Sequence, residues 1–262
     1  MASNENLDRW DEEFKQVKEL RKKNRFNFHK TTKIVKRVLP KYKKIMEKHL
    51  GKYRDQFSEY FKRHSKEVLA FDIEEYYNEI ICILTLSVNS DSRYLIHIDI
   101  FNDWPKGPQS DKIRKKYKKW LEKQKPSKVV IHGTNQNELK LLEDSKHEPV
   151  NTQEMLEDSC IQNELGNERT GLDAFEECIG FERAGCKFLK HNKNLPNSVG
   201  GNFIRYFFDL SLVSIHYHLY KKPQRKCWKC GKLQDVLLYC LEDSFTTLLA
   251  YVMCDNILAE KS

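Results

Sequence analysis

The apolar pattern of the chain changes near residue 67 from a spacing of three and four residues to strict alternation. Segments 67–73, 78–87 and 93–100 each have the apolar pattern of a β-strand, and polar turns at 75–78 and 89–92 separate them. Strands joined by such short turns pair with their sequence neighbours, so these three segments predict an antiparallel meander.

The segments after the meander alternate between helix and strand. Segment 111–124 is charged and predicts a helix, 129–132 is a short apolar strand, and 135–143 begins a second helix. A short strand that follows a helix pairs in parallel with an earlier strand, here the first. The order predicts an α/β fold with a mixed sheet flanked by helices, and ligand chemistry on such a sheet sits at the strand ends.

The N-terminal quarter carries the positive charge of the chain. Residues 1–66 hold 20 Lys/Arg against 9 Asp/Glu, a net charge of +11, whereas residues 67–262 hold 26 against 29. Apolar residues in this part recur at helical spacing, which predicts two or three amphipathic helices, with Pro40 starting or breaking one of them. We therefore divide the chain into a basic helical extension, 1–66, and an α/β domain, 67–262.

The basic extension has two interpretations that can hold together. Its charge suits contact with the phosphate backbone of nucleic acid. Alternatively, it is a solvated extension that packs an apolar stripe on the α/β domain. The candidate phosphate contacts are Lys22, Lys23, Arg25, Lys36 and Arg37.

Composition also bears on compartment. No apolar run reaches the roughly 18 residues that a membrane span needs, and the chain starts with polar residues. Its eight cysteines are scattered, as is typical of reduced thiols. We expect a protein of the nucleus or cytoplasm without a membrane partner. Cys227 and Cys230 have the spacing of half a zinc site, and buried thiols in a turn are the alternative.

Asp72 and Glu74 end the first predicted strand with two carboxylates. Residues i and i+2 of a strand point to the same side and lie about 7 Å apart, close enough to share a divalent cation. Glu75 follows directly, so an ordinary acidic turn is the alternative.

Tyr239 and Asp243 lie four residues apart in the clearest predicted helix, 234–258. This spacing places the phenol and the carboxylate on one helix face, one turn from each other. A buried ring with a carboxylate at its rim is the alternative. Upstream, 171–180 predicts a short helix that ends at a glycine, and 203–219 is an aromatic-rich segment that we expect to be buried.

These motifs, in this order, resemble those of the DEDDy 3′-to-5′ exonucleases, of which ribonuclease D and the Werner-type exonucleases are the nearest comparisons. The likeness covers residues 66–258 and comprises Asp72-x-Glu74, the strands that follow it, and Tyr239-x3-Asp243. It implies a ribonuclease H-like fold.

The resemblance also implies a chemistry. In that family, acids matching Asp72, Glu74 and Asp243 hold two Mg²⁺ or Mn²⁺ ions that activate a water and stabilise the charge on the scissile phosphate. The tyrosine matching Tyr239 positions or deprotonates that water. The implied reaction releases nucleoside 5′-monophosphates from the 3′ end of RNA or DNA.

The second motif departs from the family pattern. Aligned on Leu141-Leu142, the expected aspartate falls on Asn137, which can offer a carbonyl oxygen to a metal or to nucleic acid but carries no charge. Glu138 is adjacent and substitutes if the helix starts one residue later. The chain is therefore expected to be an exonuclease that uses Glu138, or a pseudo-exonuclease that binds nucleic acid or protein partners in RNA handling.

Overall fold

A five-stranded mixed sheet forms the centre of the computed structural model, which describes residues 28–76, 79–91, 93–100, 110–133, 136–143, 147, 149–184 and 233–261. The strands are β1 (Val68–Tyr76), β2 (Glu79–Val88), β3 (Tyr94–Ile100), β4 (Lys128–Ile131) and β5 (Pro149–Asn151).

The spatial order of the strands is β3-β2-β1-β4-β5. The pairs β1–β2 and β2–β3 are antiparallel, which confirms the predicted meander, and β4 pairs in parallel with β1 as expected. β5 pairs in parallel with β4 and was not predicted. It has three residues and begins with a proline, so it is too short to show an alternating pattern.

Helices flank this sheet, and together they make the α/β architecture that the sequence predicts. The helices are α1 (Phe28–Lys52), α2 (Arg54–Arg63), α3 (Ser110–Gln124), α4 (Gln136–Leu142), α5 (Thr152–Leu156), α6 (Ser159–Leu165), α7 (Leu172–Cys178) and α8 (Leu233–Lys261). The predicted helices 111–124, 135–143, 171–180 and 234–258 are confirmed to within a few residues. Segment 203–219, Cys227 and Cys230 lie outside the described residues.

The two faces of β1 pack on different helices. Val68 and Ala70 belong to the core that includes α8, whereas Leu69 and Phe71 pack with Tyr117 of α3 on the other face. Because side chains alternate along a strand, Asp72 follows Val68 and Ala70 toward α8. This alternation brings the carboxylate of β1 to the helix that carries Tyr239 and Asp243.

The N-terminal helices α1 and α2 are part of the same core as α8. Tyr42, Met46, Phe57 and Tyr60 are almost completely buried in it. The packing interpretation of the apolar stripe is therefore confirmed, and contact of the basic face with nucleic acid stays a prediction.

Pro40 neither starts nor breaks a helix, so that expectation is wrong. It lies inside α1, which is 25 residues long in all. Proline removes one backbone hydrogen bond from a helix. Burial of Val38 and Tyr42 on either side of it fixes both halves of the helix on the core.

Helix α8 includes a stretch, Leu237–Lys261, that is long and apolar enough to cross a membrane by length and composition alone. In this structure 89% of its most apolar window is buried inside the protein. A core helix has the same composition, because it is surrounded by apolar side chains on all sides.

A buried hydrogen bond links the sheet to α3. The hydroxyls of Thr85 and Tyr117 lie 2.9 Å apart, and both residues are almost fully buried. Tyr117→Phe is expected to lower the free energy of unfolding by about 1–2 kcal/mol, because it leaves the Thr85 hydroxyl buried without this partner. In urea unfolding, Thr85→Val combined with Tyr117→Phe should lose less than the sum of the single losses, and strict additivity would contradict this coupling.

Candidate active site

Four of the residues singled out from the sequence line one cavity of about 330 Å³. Asp72, Glu138, Tyr239 and Asp243 all line it, although they come from three different elements. The remaining lining residues are Phe71, His132, Gly171, Leu172, Asp173 and Thr247.

The local structure of each element explains how its side chain reaches the cavity. β1 carries Asp72 on the face that meets α8, and α4 begins just after β4, so its first turn places Glu138 at the carboxyl end of that strand. In α8, Tyr239 and Asp243 are one turn apart and both reach the cavity. Residues far apart in sequence are thus brought to one point.

Asp72 is held in an environment that disfavours its charge. Burial raises the pKa of this carboxyl well above its usual range, and the nearby charge of Asp243 raises it further, while the Cys240 thiol and the Arg183 charge act in the opposite direction. Its Oδ2 atom is buried and has no hydrogen-bond partner among the residues that the structure describes. A buried oxygen of this kind is costly unless something positive approaches it.

Asp243 is paired with a cation from the chain itself. The Arg183 guanidinium forms ion pairs with Asp243 and with Glu176, and its Nε donates to Glu176 at 3.0 Å. The guanidinium also lies 4.9 Å from the centre of the Tyr239 ring. The Arg183 side chain is only 3% exposed, so this is a buried charge network rather than a surface pair.

Burial and charge act against each other in this network. Burial raises the pKa of Glu176, and the Arg183 charge opposes that rise. Burial alone would lower the pKa of Arg183, but the negative charges of Asp243 and Glu176 outweigh it and the pKa is raised. Arg183 therefore stays positively charged beside Asp243.

A second contact fixes the chain beside Arg183. The Ala184 amide donates to Glu242 Oε1 at 2.7 Å, and His49 Nε2 lies 3.1 Å from the same oxygen. Glu242 is completely buried. Glu242, the residue before Asp243, thus connects α8 both to α1 and to the segment that carries Arg183.

Other predicted site residues lie elsewhere or outside the described part of the structure. Glu74 is in β1 opposite Cys82, and Asn137 is in α4, but the side chains of Glu74 and Asn137 lie outside the described residues. Lys22, Lys23 and Arg25 lie outside the described residues entirely.

Lys36 and Arg37 are exposed on α1 and do not line the cavity. Lys52, at the carboxyl end of α1, donates to the Gly180 carbonyl and so lies close to the segment of Arg183. Lys36 and Arg37 are roughly 20 Å from the carboxyl end of α1 along the helix axis. Contact with a phosphate backbone at Lys36 and Arg37 would thus occur away from the cavity.

Sequence reasoning missed Arg183, Glu176, Asp173 and His132. Arg183 follows α7 in a segment without helix or strand, and its partner Asp243 is 60 residues away, so no local pattern indicates the pair. Asp173 lies in the first turn of α7, where an acid is already accounted for by the helix dipole.

The donor set suits a hard divalent cation in part. Carboxylate oxygens are the ligands that Mg²⁺ and Mn²⁺ prefer, and the buried Asp72 Oδ2 atom is suited to such an ion. Within the described part of the chain, however, no three His, Cys, Asp or Glu side chains are grouped as a metal site. The resemblance implies that Asp243 is a metal ligand, but here its carboxylate forms an ion pair with Arg183.

Comparison with protein-family models, with curated proteins and with solved structures found no match to this chain. The function is therefore inferred from the residues of the cavity.

Proposed function

We propose that this protein is a cation-dependent 3′-to-5′ exonuclease of the ribonuclease H-like, DEDDy type. It would release nucleoside 5′-monophosphates from RNA or DNA in the nucleus or cytoplasm. The observation that carries the proposal is the convergence of Asp72, Glu138, Tyr239 and Asp243 on one cavity. The sheet supports it as well, since an antiparallel meander followed by a parallel strand is what the resemblance implies.

The carboxylates of the cavity would hold the cation. Asp72 and Asp243 supply oxygen donors there, and Glu74 is the third candidate from the sequence. Glu138 is buried at the cavity and brings the negative charge that Asn137 lacks. When bound, Mg²⁺ or Mn²⁺ would supply positive charge to the scissile phosphate and to the leaving oxygen.

Tyr239 has the position of a residue that orients the attacking water. Its side chain lines the cavity one helical turn before Asp243. A phenol can accept and donate a hydrogen bond, so it can hold a water on one side of a phosphate. The cavity volume of about 330 Å³ is at the small end of ligand sites and suits one terminal nucleotide rather than a duplex.

A second candidate function is a pseudo-exonuclease that binds nucleic acid or a protein partner in RNA handling. The pairing of Arg183 with Asp243 favours it, because the guanidinium occupies a carboxylate that catalysis needs. In that case the basic residues of the N-terminal part, Lys36 and Arg37 among them, would supply affinity for the phosphate backbone without a cleavage step.

A trimming assay separates the two candidates. The purified chain with Mn²⁺ is expected to shorten a 5′-labelled single-stranded oligonucleotide from its 3′ end, and EDTA should stop the reaction. Glu138→Gln should slow it by about 10²- to 10³-fold, since the variant removes a charge at the cavity but keeps the side-chain shape.

Glu143→Gln is the matched control, because Glu143 is exposed just after α4. It should trim at the rate of the unmodified chain. If no RNA or DNA substrate is shortened under any cation, the exonuclease proposal is wrong and the binding function replaces it.

A further inference from the structure

The network around Arg183 has fewer positive charges than negative ones among the residues that the structure describes. One guanidinium serves two carboxylates, and the side chains of Glu176 and Asp243 are only 10% and 12% exposed. Asp72 adds a third carboxyl group, since it lines the same cavity as Asp243. The cavity thus attracts positive charge, and Arg183 is a cation that the structure places beside it.

Arg183 is held in place from several sides. Besides its two ion pairs, it donates to the Tyr239 carbonyl at 3.4 Å, and its guanidinium lies near the Tyr239 ring. The next residue, Ala184, is tied to Glu242 by its backbone amide. These contacts anchor the guanidinium beside Tyr239 and Asp243, two of the three residues of α8 that line the cavity.

A divalent cation and Arg183 would compete for the same carboxylate. A metal ion in contact with both Asp72 and Asp243 would lie within a few ångströms of the guanidinium, and like charges at that distance repel strongly in a buried site. The guanidinium, which is paired with Asp243 Oδ1, would therefore oppose binding of the ion at Asp243.

We propose that Arg183 is an internal counter-ion that competes with the divalent metal for Asp243 and so sets the metal affinity of the cavity. The inference rests on the proposed function, because it takes Asp243 as a metal ligand. It assigns Arg183 a role in metal affinity rather than contact with substrate. The chain then exists in two forms. In the metal-free form Arg183 is paired with both Asp243 and Glu176, and in the metal-bound form it keeps only its ion pair with Glu176.

The test is a calorimetric titration of Mn²⁺ into the full chain without nucleic acid. Arg183→Gln is expected to bind Mn²⁺ about tenfold or more tightly than the unmodified chain, a change within the usual range of coupled binding. Mn²⁺ should also raise the Tm of Arg183→Gln more than that of the unmodified chain, because the ion replaces the missing positive charge. Arg183→Lys, which keeps a charge, should stay near the unmodified affinity.

Arg183→Gln removes the cation from beside two buried carboxylates, so its metal-free form is expected to have a lower Tm. Glu176→Gln combined with Arg183→Gln removes one of these charges and should fold while keeping the gain in Mn²⁺ affinity. Arg169→Gln is the matched control, since Arg169 pairs with Glu177 in an exposed position. It should leave the Mn²⁺ affinity and the Tm unchanged.

The outcomes separate this inference from the proposed function. Equal, measurable Mn²⁺ affinity in the unmodified chain and in both Arg183 variants would overturn the competition and leave the cation site standing. Absence of Mn²⁺ binding in the unmodified chain and in every folded variant would overturn the competition together with the proposed cation site.

Discussion

The Asp72→Asn variant is expected to lose about 10²- to 10³-fold or more of the metal-dependent trimming rate while keeping or raising its Tm. The carboxylate lines the cavity, and its buried Oδ2 atom has no hydrogen-bond partner in the described part of the chain. In the folded chain its charge is therefore costly without a cation. Asparagine has the same shape and no charge, so it removes that cost and also the strongest reason for a cation to bind.

The pH dependence follows from the same environment. Burial, and then the charge of Asp243, raises the pKa of Asp72 in the folded chain, whereas in the unfolded chain it is near the ordinary value of about 3.9. The folded form therefore binds this proton more tightly, and the contribution of Asp72 to stability is lost as the pH rises above the unfolded value. At neutral pH the uncharged side chain of the Asp72→Asn variant avoids this loss.

Initial trimming rates in Mn²⁺ and thermal unfolding in EDTA check both parts of the prediction. Asp91→Asn is the control, because Asp91 is exposed in the turn between β2 and β3. An Asp72→Asn protein that trims at the unmodified rate would remove Asp72 from the site. A large fall of its Tm would instead show that the carboxylate has a structural role.

Phe245→Ala is expected to lower the free energy of unfolding by about 3–5 kcal/mol. Phe245 is completely buried in α8. The centre of its ring lies 5.7 Å from the ring centre of Phe181 and 5.3 Å from that of His49. Tyr53 and Phe57 also lie within 6.3 Å of it, so the variant would open a cavity where α1, α2 and α8 meet.

Urea unfolding measures this loss, and Leu258→Ala on the same helix is the control. Leu258 is 38% exposed, so its truncation should cost less than about 1 kcal/mol. A Phe245→Ala protein as stable as the control would mean that the N-terminal helices are not part of the core in solution.

The sheet could be predicted from sequence because its strands carry a local signal. Alternation along 67–73 sets which residues of β1 face α8, and the short polar segments that flank β2 in the sequence favour the antiparallel pairing. The same local rules placed Asp72 on one face of its strand and Tyr239 and Asp243 on one face of their helix. Each of these positions depends on residues no more than four apart.

The rest of the site depends on contacts between distant parts of the chain. Arg183 meets Asp243 across 60 residues, and His49 meets Glu242 across 193, so neither pair leaves a periodic pattern. Pro40 is another example, since a local rule predicts a helix end there and burial of its neighbours in the core overrides it. Tertiary packing determines these features.

A crystal of the full chain soaked in Mn²⁺, with an anomalous difference map calculated at the cavity, tests the central claim most directly. We expect a peak about 2.0–2.4 Å from Asp72 Oδ2, with Asp243 as a second ligand and the Arg183 guanidinium withdrawn from Asp243. A map without a peak at the cavity, with Arg183 still paired to Asp243, would contradict it.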